Sequence, residues 1–156
     1  MNQDPSLDAR LRAAAILTAG GRALLFLGGA LPWLVPLGRS YLALGAAGVA
    51  LDLAFLPMCH RLPERTLSLA GVPMPLCSRC AGIFAGVALG ALLARPRLAL
   101  SPLRWSIAAT GALMALDVVT QDVGLHPIWH PTRVASGLLF GYAIALACLA
   151  ALRRDR

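Results

Sequence analysis

The sequence predicts an all-α fold, a polytopic membrane helix bundle of about five transmembrane helices, and three observations carry that prediction. Of the 156 residues, 58% are apolar and only 13% charged, too little polar surface to coat a soluble globule. Five apolar stretches, 13–37, 41–58, 80–94, 105–121 and 132–152, are each long enough, or nearly so, for a spanning helix. Such a helix must cross a hydrocarbon core about 30 Å thick at about 1.5 Å of rise per residue. The 14 basic residues are all arginine and stand singly or in small groups at the ends of those stretches, as topology determinants do. A nucleic-acid partner is not expected, because no phosphate-tracking basic face is present. The expected partner is the lipid bilayer. No repeat, linker or low-complexity tail divides the chain, so residues 1–156 read as one integral membrane domain.

The first stretch, 13–37, contains Arg22 and the Gly20-Gly21 pair, and "LPWLVP" from Leu31 to Pro36 reads as its frayed, tryptophan-anchored end. Asp4 and Asp8 spoil a basic n-region and the apolar run is too long for a cleaved signal peptide, so the amino terminus is expected to be retained. The second stretch carries Asp52 about two turns before its end. The third and fourth are short and could be tilted or half-buried, so the count of five is good to about one span. Asp117 and Gln121 close the fourth on one stripe, spaced i, i+4, and Arg133 and Ser136 open the fifth, spaced i, i+3. Gly82, Gly86 and Gly90, with Gly137 and Gly141, form small-xxx-small ridges that let the third and fifth helices approach closely. Such Gly-xxx-Gly faces could equally join copies of the chain into a homo-oligomer.

Five crossings sort the polar residues by parity. The amino terminus, the Cys/His loop 59–79 and the 122–131 loop fall on one side, with Cys59, His60, Cys77, Cys80, Asp122, His126 and His130. The loops around Arg39 and 95–104 and the carboxyl tail fall on the other, with Arg39, Arg95, Arg97, Arg104, Arg153, Arg154 and Arg156. Those arginines make the second side the cytoplasmic candidate, so a multi-pass protein of the cell (inner) membrane with an extracytoplasmic Cys/His face is expected.

Asp52 and Asp117 would each cost about 2.5 to 3.5 kcal/mol at a helix centre, so both should face the bundle interior and find partners, for which Arg22 and Arg133 are available. Two outcomes are open, a pair of structural ion pairs or a lined polar pocket under the cysteine loop. The pocket candidates are Asp52, Glu64, Arg79, Asp117, Gln121, His126, His130 and Arg133.

Cys59-His60 and Cys77-x-x-Cys80 supply three thiols and an imidazole, the number that a tetrahedral Zn²⁺ or similar thiophilic metal ion requires. The C-x-x-C half is a favourable metal knuckle. Adjacent Cys and His rarely both reach one ion, so His126 or His130 could replace His60 as the fourth ligand. Arg61, Arg65 and Arg79 would favour the thiolates that a metal needs, and the same field would activate a redox thiol. In an oxidising compartment Cys77 and Cys80 could instead form a disulfide, or either could pair with Cys59. Cys148, near the far end of the last stretch, reads as a packing residue. His126 and His130 flank Pro127 and Trp129 in an interfacial loop, where histidines are commonly just solvated. Glu64 could carry protons beside a metal-bound water, or simply cap a helix or pair with Arg61 or Arg65.

No G-x-S-x-G, H-E-x-x-H, phosphate loop or dinucleotide fingerprint occurs, and Ala81 after Cys80 rules out a C-x-x-C-H haem attachment. Whether the protein is an enzyme is therefore left open. The stretches "CHRLPERTLSLAGVPMPLCSRCAGIFAG" (Cys59 to Gly86) and, more loosely, "DVVTQDVGLHPIWHPTRVASGLLFG" (Asp117 to Gly141) resemble a family of small bacterial and archaeal membrane proteins grouped as domain of unknown function 2085. The resemblance implies an integral membrane protein whose signature includes Cys59, His60, Arg61, Pro63, Glu64, Arg65, Pro75, Cys77, Arg79, Cys80, Gly82, Asp117, Gln121, Arg133 and Gly137, and it implies no activity. Three functions are expected from the residues: a membrane protein with a Cys/His metal site above a polar pocket, a membrane thiol-disulfide oxidoreductase using Cys77 and Cys80 with Cys59 as a shuttle, or a small transporter or assembly factor.

Overall fold

A computed structural model of the protein describes residues 5–42, 44–95 and 100–154, with side chains over 12–42, 44–95 and 101–152. The chain is an all-α membrane helix bundle with one small hairpin. In order it forms α1 (Pro5–Tyr41), α2 (Gly45–Ala54), a single 3-10 turn (Pro63–Arg65), β1 (Thr66–Leu69), β2 (Val72–Cys77), α3 (Ser78–Leu93), α4 (Leu100–Asp122) and α5 (His130–Arg154). Among the described residues three helical segments are long and apolar enough to cross a membrane, Arg12–Tyr41, Ser101–Asp122 and His130–Leu152. α3 is apolar but shorter, 16 residues or about 24 Å.

Glycine decides how the bundle closes. Gly82, Gly86 and Gly90 of α3 lie against Val134, Leu138 and Ala145 of α5, while Gly137 and Gly141 lie against the α3 backbone at Arg79 and Ile83. Gly82, Gly86, Gly137 and Gly141 leave no room for a side chain, so the two backbones touch, as apolar helices do when no hydrophobic force drives them together. Contacts that advance together along both sequences make α3 and α5 parallel. These ridges are thus used inside the chain, between α3 and α5, as the small-xxx-small spacing predicts.

α1 runs antiparallel to α3. The Trp33 indole donates to Ala81 O at 3.1 Å, Gly29 sits on the backbone at Phe84 and Ala88, and Arg22 donates from Nη1 to Ala91 O (2.7 Å) and from Nη2 to Ala94 O (2.5 Å). Arg22 thus satisfies carbonyls that the end of α3 leaves open, rather than pairing with an acid. "LPWLVP" is not a frayed end: Pro32 and Pro36 lie inside α1, fully buried, where neighbouring helices make up for the missing N–H donors. α4 returns antiparallel to α5, with Gly111 against the Phe140 ring.

The 41–58 stretch differs from a single span. Its helix is 10 residues, about 15 Å, half the thickness of the core. Asp52 explains the shortening. Its Oδ2 pairs with Arg39 from the last turn of α1 and lies 3.7 Å from Arg61 Nη2, so two arginines hold the acid at the end of the bundle instead of leaving it in the hydrocarbon. Arg39 therefore lies with the cysteine loop, not on the opposite face as parity predicts. Ser40 Oγ donating to Ala70 O at 3.2 Å fixes the same relation between α1 and the hairpin. At the other end, Gly21 of α1 lies against Leu152 of α5.

The 59–79 segment, expected as a loop, contains the β1–β2 hairpin. Ala70 (φ 52°) and Gly71 (φ 77°) both have positive φ, the two-residue turn whose twist matches a hairpin. Antiparallel pairing sets Leu69 opposite Val72 and Thr66 opposite Cys77, with an irregularity between Thr66 and Ser68. Met74 and Leu76 of β2 are wholly buried, and Leu76 joins Val35, Phe55 and Cys59 in a core cluster that ties the hairpin to α1 and the chain after α2.

Candidate metal centre

Three thiols reach one place by three routes. Cys59 lies in the turn after α2, held by its N–H to Phe55 O and by the cluster with Val35 and Leu76. Cys77 ends β2 and is the N-cap position of α3, and Cys80 follows in the first turn of that helix. The three sulfurs all lie within 4.8 Å of one another, Cys59 buried and the other two half-buried, and all are free thiols. A tetrahedral ion about 2.3 Å from each sulfur sets the sulfurs about 3.8 Å apart, so closing the site asks for movements of about 1 Å or less. The Cys77 N–H already donates to Cys59 Sγ at 3.3 Å, a second-layer bond of the kind that orients a thiolate ligand.

Cys77 is also unusually acidic for a thiol. A hydrogen bond from the Cys80 thiol lowers its pKa to about 5; burial opposes the shift, and the Cys80 and Arg79 backbone N–H groups and the Cys59 thiol assist it. The first turn of a helix supplies such N–H donors because they have no partner within the helix.

The sulfurs line a cleft of about 310 Å³, with His60 and Arg61 at its edge and Arg79 and Arg133 deeper. His60 is exposed, and among the described residues the ligand atoms gathered at the site are the three sulfurs alone. His126 belongs elsewhere: Nε2 is 3.0 Å from Thr120 Oγ1 and 3.9 Å from Asp117 Oδ1, and Nδ1 is 3.0 Å from Pro127 O. His130, the first residue of α5, is half-buried, and its Nδ1 has no partner among the described residues.

The polar pocket candidates do not share one setting. Arg79 donates from Nε and Nη2 to Asp117 Oδ2 (2.9 and 2.6 Å) and from Nη2 to Gln121 Oε1 (2.9 Å), so the i, i+4 pair on α4 grips one arginine of α3. Asp117 faces a separate hollow with His126, Trp129 and Thr132. Asp52 stands apart with Arg39 and Arg61, and Glu64 is exposed in the 3-10 turn. Arg133 is 2% exposed, and its Nε and Nη1 have no partner among the described residues. Cys148 is exposed on α5 rather than packed. The partnership of Arg39 with Asp52 was missed from sequence because parity had separated them; the signal was Asp52 itself, too deep in its stretch for a spanning helix.

A family model described as "Predicted membrane protein (DUF2085)" matches residues 59–147. An uncharacterized protein of Methanocaldococcus jannaschii, MJ1492, is 29% identical over 96 residues, covering 59% of this chain and 62% of that protein. An uncharacterized protein of Methanothermobacter thermautotrophicus is 36% identical over 96 residues, covering 57% of this chain and 82% of that protein. This chain thus spans somewhat less than two thirds of the first of these relatives. No solved structure matches.

Proposed function

The chain belongs to the domain of unknown function 2085 family of membrane proteins, and from its site we propose that it is a multi-pass membrane protein holding one thiophilic metal ion, zinc-like in preference, on Cys59, Cys77 and Cys80. The single observation that carries this is the meeting of three free sulfurs from three separate elements within 4.8 Å. A structural zinc site is closed by four protein ligands, whereas three ligands with an open position characterise sites that bind water or a substrate. With His60 exposed at the rim of the cleft, a fourth ligand would have to come from water, from a swing of His60 or from outside the chain. Softness of three thiolates favours Zn²⁺ or Cu⁺ over Mg²⁺ or Ca²⁺. An extracytoplasmic site is favoured by Arg95, Arg104, Arg153 and Arg154 at the opposite end of the helices, the arginine pattern of a cytoplasmic face.

Cobalt reconstitution tests the proposal. Metal-free protein loaded with Co²⁺ should give the sulfur-to-cobalt charge-transfer absorption of a thiolate site, lost in Cys59→Ser and Cys77→Ser and kept in Cys148→Ser. A spectrum indifferent to Cys59→Ser and Cys77→Ser would count against it.

The lowered pKa of Cys77 beside Cys80 favours one second function, thiol-disulfide exchange. There the Cys77 thiolate attacks a substrate disulfide, Cys80 resolves the mixed disulfide, and the pair is oxidised as the substrate is reduced to two thiols. Protein isolated with a reducible Cys77–Cys80 bond and no metal would favour this alternative.

A further inference from the structure

The cleft beside the sulfurs is rich in arginine donors, some of which find no partner among the described residues. Arg61, Arg65, Arg79 and Arg133 line it, and among its described lining residues there is no carboxylate. Asp117 and Gln121 satisfy Arg79 from behind, and Asp52 lies 3.7 Å from Arg61. The other two are under-used. Arg65 reaches Asp122 Oδ1 at 3.4 Å through Nη2, but its buried Nε has no partner among the described residues. Arg133 is 98% buried, and two of its three nitrogens make no hydrogen bond among the described residues, to a sulfur or to anything else. A buried guanidinium with unpaired donors is costly and persists where something outside the chain completes it.

The backbone adds to the same field. Because α3 and α5 are parallel, their amino-terminal ends, each the positive end of a helix dipole, lie at the same end of the bundle, next to this cleft. No acidic residue occupies the first turn of either helix to offset it. Buried arginine donors together with helix amino termini are the chemistry that recognises phosphate. The volume, about 310 Å³, leaves room for a phosphate and part of the group that it esterifies.

We infer that this cleft binds a phosphate group, held by Arg133 and Arg65 beside the three thiols. The site stands whether or not the sulfurs carry a metal, since neither arginine donates to them. Two sources share the chemistry, a free phosphate or phosphoester and the headgroup of an anionic lipid, because the cleft lies at the end of the bundle, beside the first turns of α3 and α5.

The test uses the full chain, purified in phosphate-free buffer, with melting temperature and metal content read on every sample. One arm adds inorganic phosphate to detergent-solubilised protein; the other compares nanodiscs of phosphatidylglycerol with nanodiscs of phosphatidylcholine. Wild type should melt several degrees higher with phosphate, or in phosphatidylglycerol, and the arm that responds identifies the source. Arg133→Met should lose that shift with its metal content unchanged, and should melt no lower than wild type without ligand, since it removes an unpaired buried charge. If Arg133→Met does not fold, Arg133→Lys should need at least tenfold more phosphate for the same shift. No shift in either arm, or an undiminished shift in these variants, overturns the proposal. Loss of metal binding with the phosphate response intact would count against the metal site alone.

Discussion

Arg79, in the first turn of α3, places Nε and Nη2 2.9 and 2.6 Å from Asp117 Oδ2 on α4, and this grip ties the end of α3 that carries Cys80 to the end of α4. Both groups are largely buried, with side chains 9% and 16% exposed. Removing either charge strands the other in a place with little water, which is worth about 3 to 5 kcal/mol. Asp117→Leu and Arg79→Met should each lower the melting temperature markedly, while the double variant should cost clearly less than their sum. Additive losses in a double-mutant cycle would mean that the pair is not coupled.

Acidity of Cys77 gives a pH dependence in the metal-free, reduced protein. Its folded pKa, about 5, lies below the ordinary thiol value, so the thiolate is present above pH 5 and is lost as pH falls through it. Alkylation of Cys77, mapped by mass spectrometry, should therefore stay at its plateau down to about pH 6 and fall below pH 5. Cys80→Ala removes the largest cause of the shift, and the midpoint should then rise.

Close contact between α3 and α5 makes Gly86 sensitive to size. It sits on Leu138 O and within 2.8 Å of Tyr142 N where a side chain would begin. Gly86→Leu should force the helices apart at a cost of about 1 to 3 kcal/mol or more, whereas Gly28→Leu, on a face of α1 with open space around it, should be nearly neutral. Thermal unfolding in detergent compares the two.

Helix directions predict a topology that differs from five crossings. α2 stays at the sulfur end, so the start of α1 and the end of α5 share the opposite side. Reporters fused before α1 and after α5 should report one compartment, and a reporter inserted in 123–129 the other. Opposite compartments for the two fusions would require α2 to cross.

Much of this was legible in the sequence because the signals are local. Apolar run length gave the bundle, the spacing of Asp117 and Gln121 gave a shared stripe, and small-xxx-small spacing gave the α3–α5 contact. Partner choice was not legible. Arg22 caps carbonyls and Arg79 takes Asp117, because which arginine meets which acid depends on helix direction and depth, which run lengths do not encode. The 41–58 run misled for the same reason: hydropathy counts its leucines and alanines, whereas the folded chain responds to one aspartate with two arginines in reach. The hairpin was hidden by its turn, since Ala70-Gly71 lacks the asparagine or aspartate that usually marks such a turn.

The metal centre stands or falls on stoichiometry. Protein purified without a histidine tag should carry one Zn²⁺ or similar ion per chain by elemental analysis. Thiol titration of the same sample, free of added reductant, should find one reactive thiol, Cys148, before chelation and four after it. Protein with no bound metal, or with two thiols missing as a disulfide after chelation, would contradict the account.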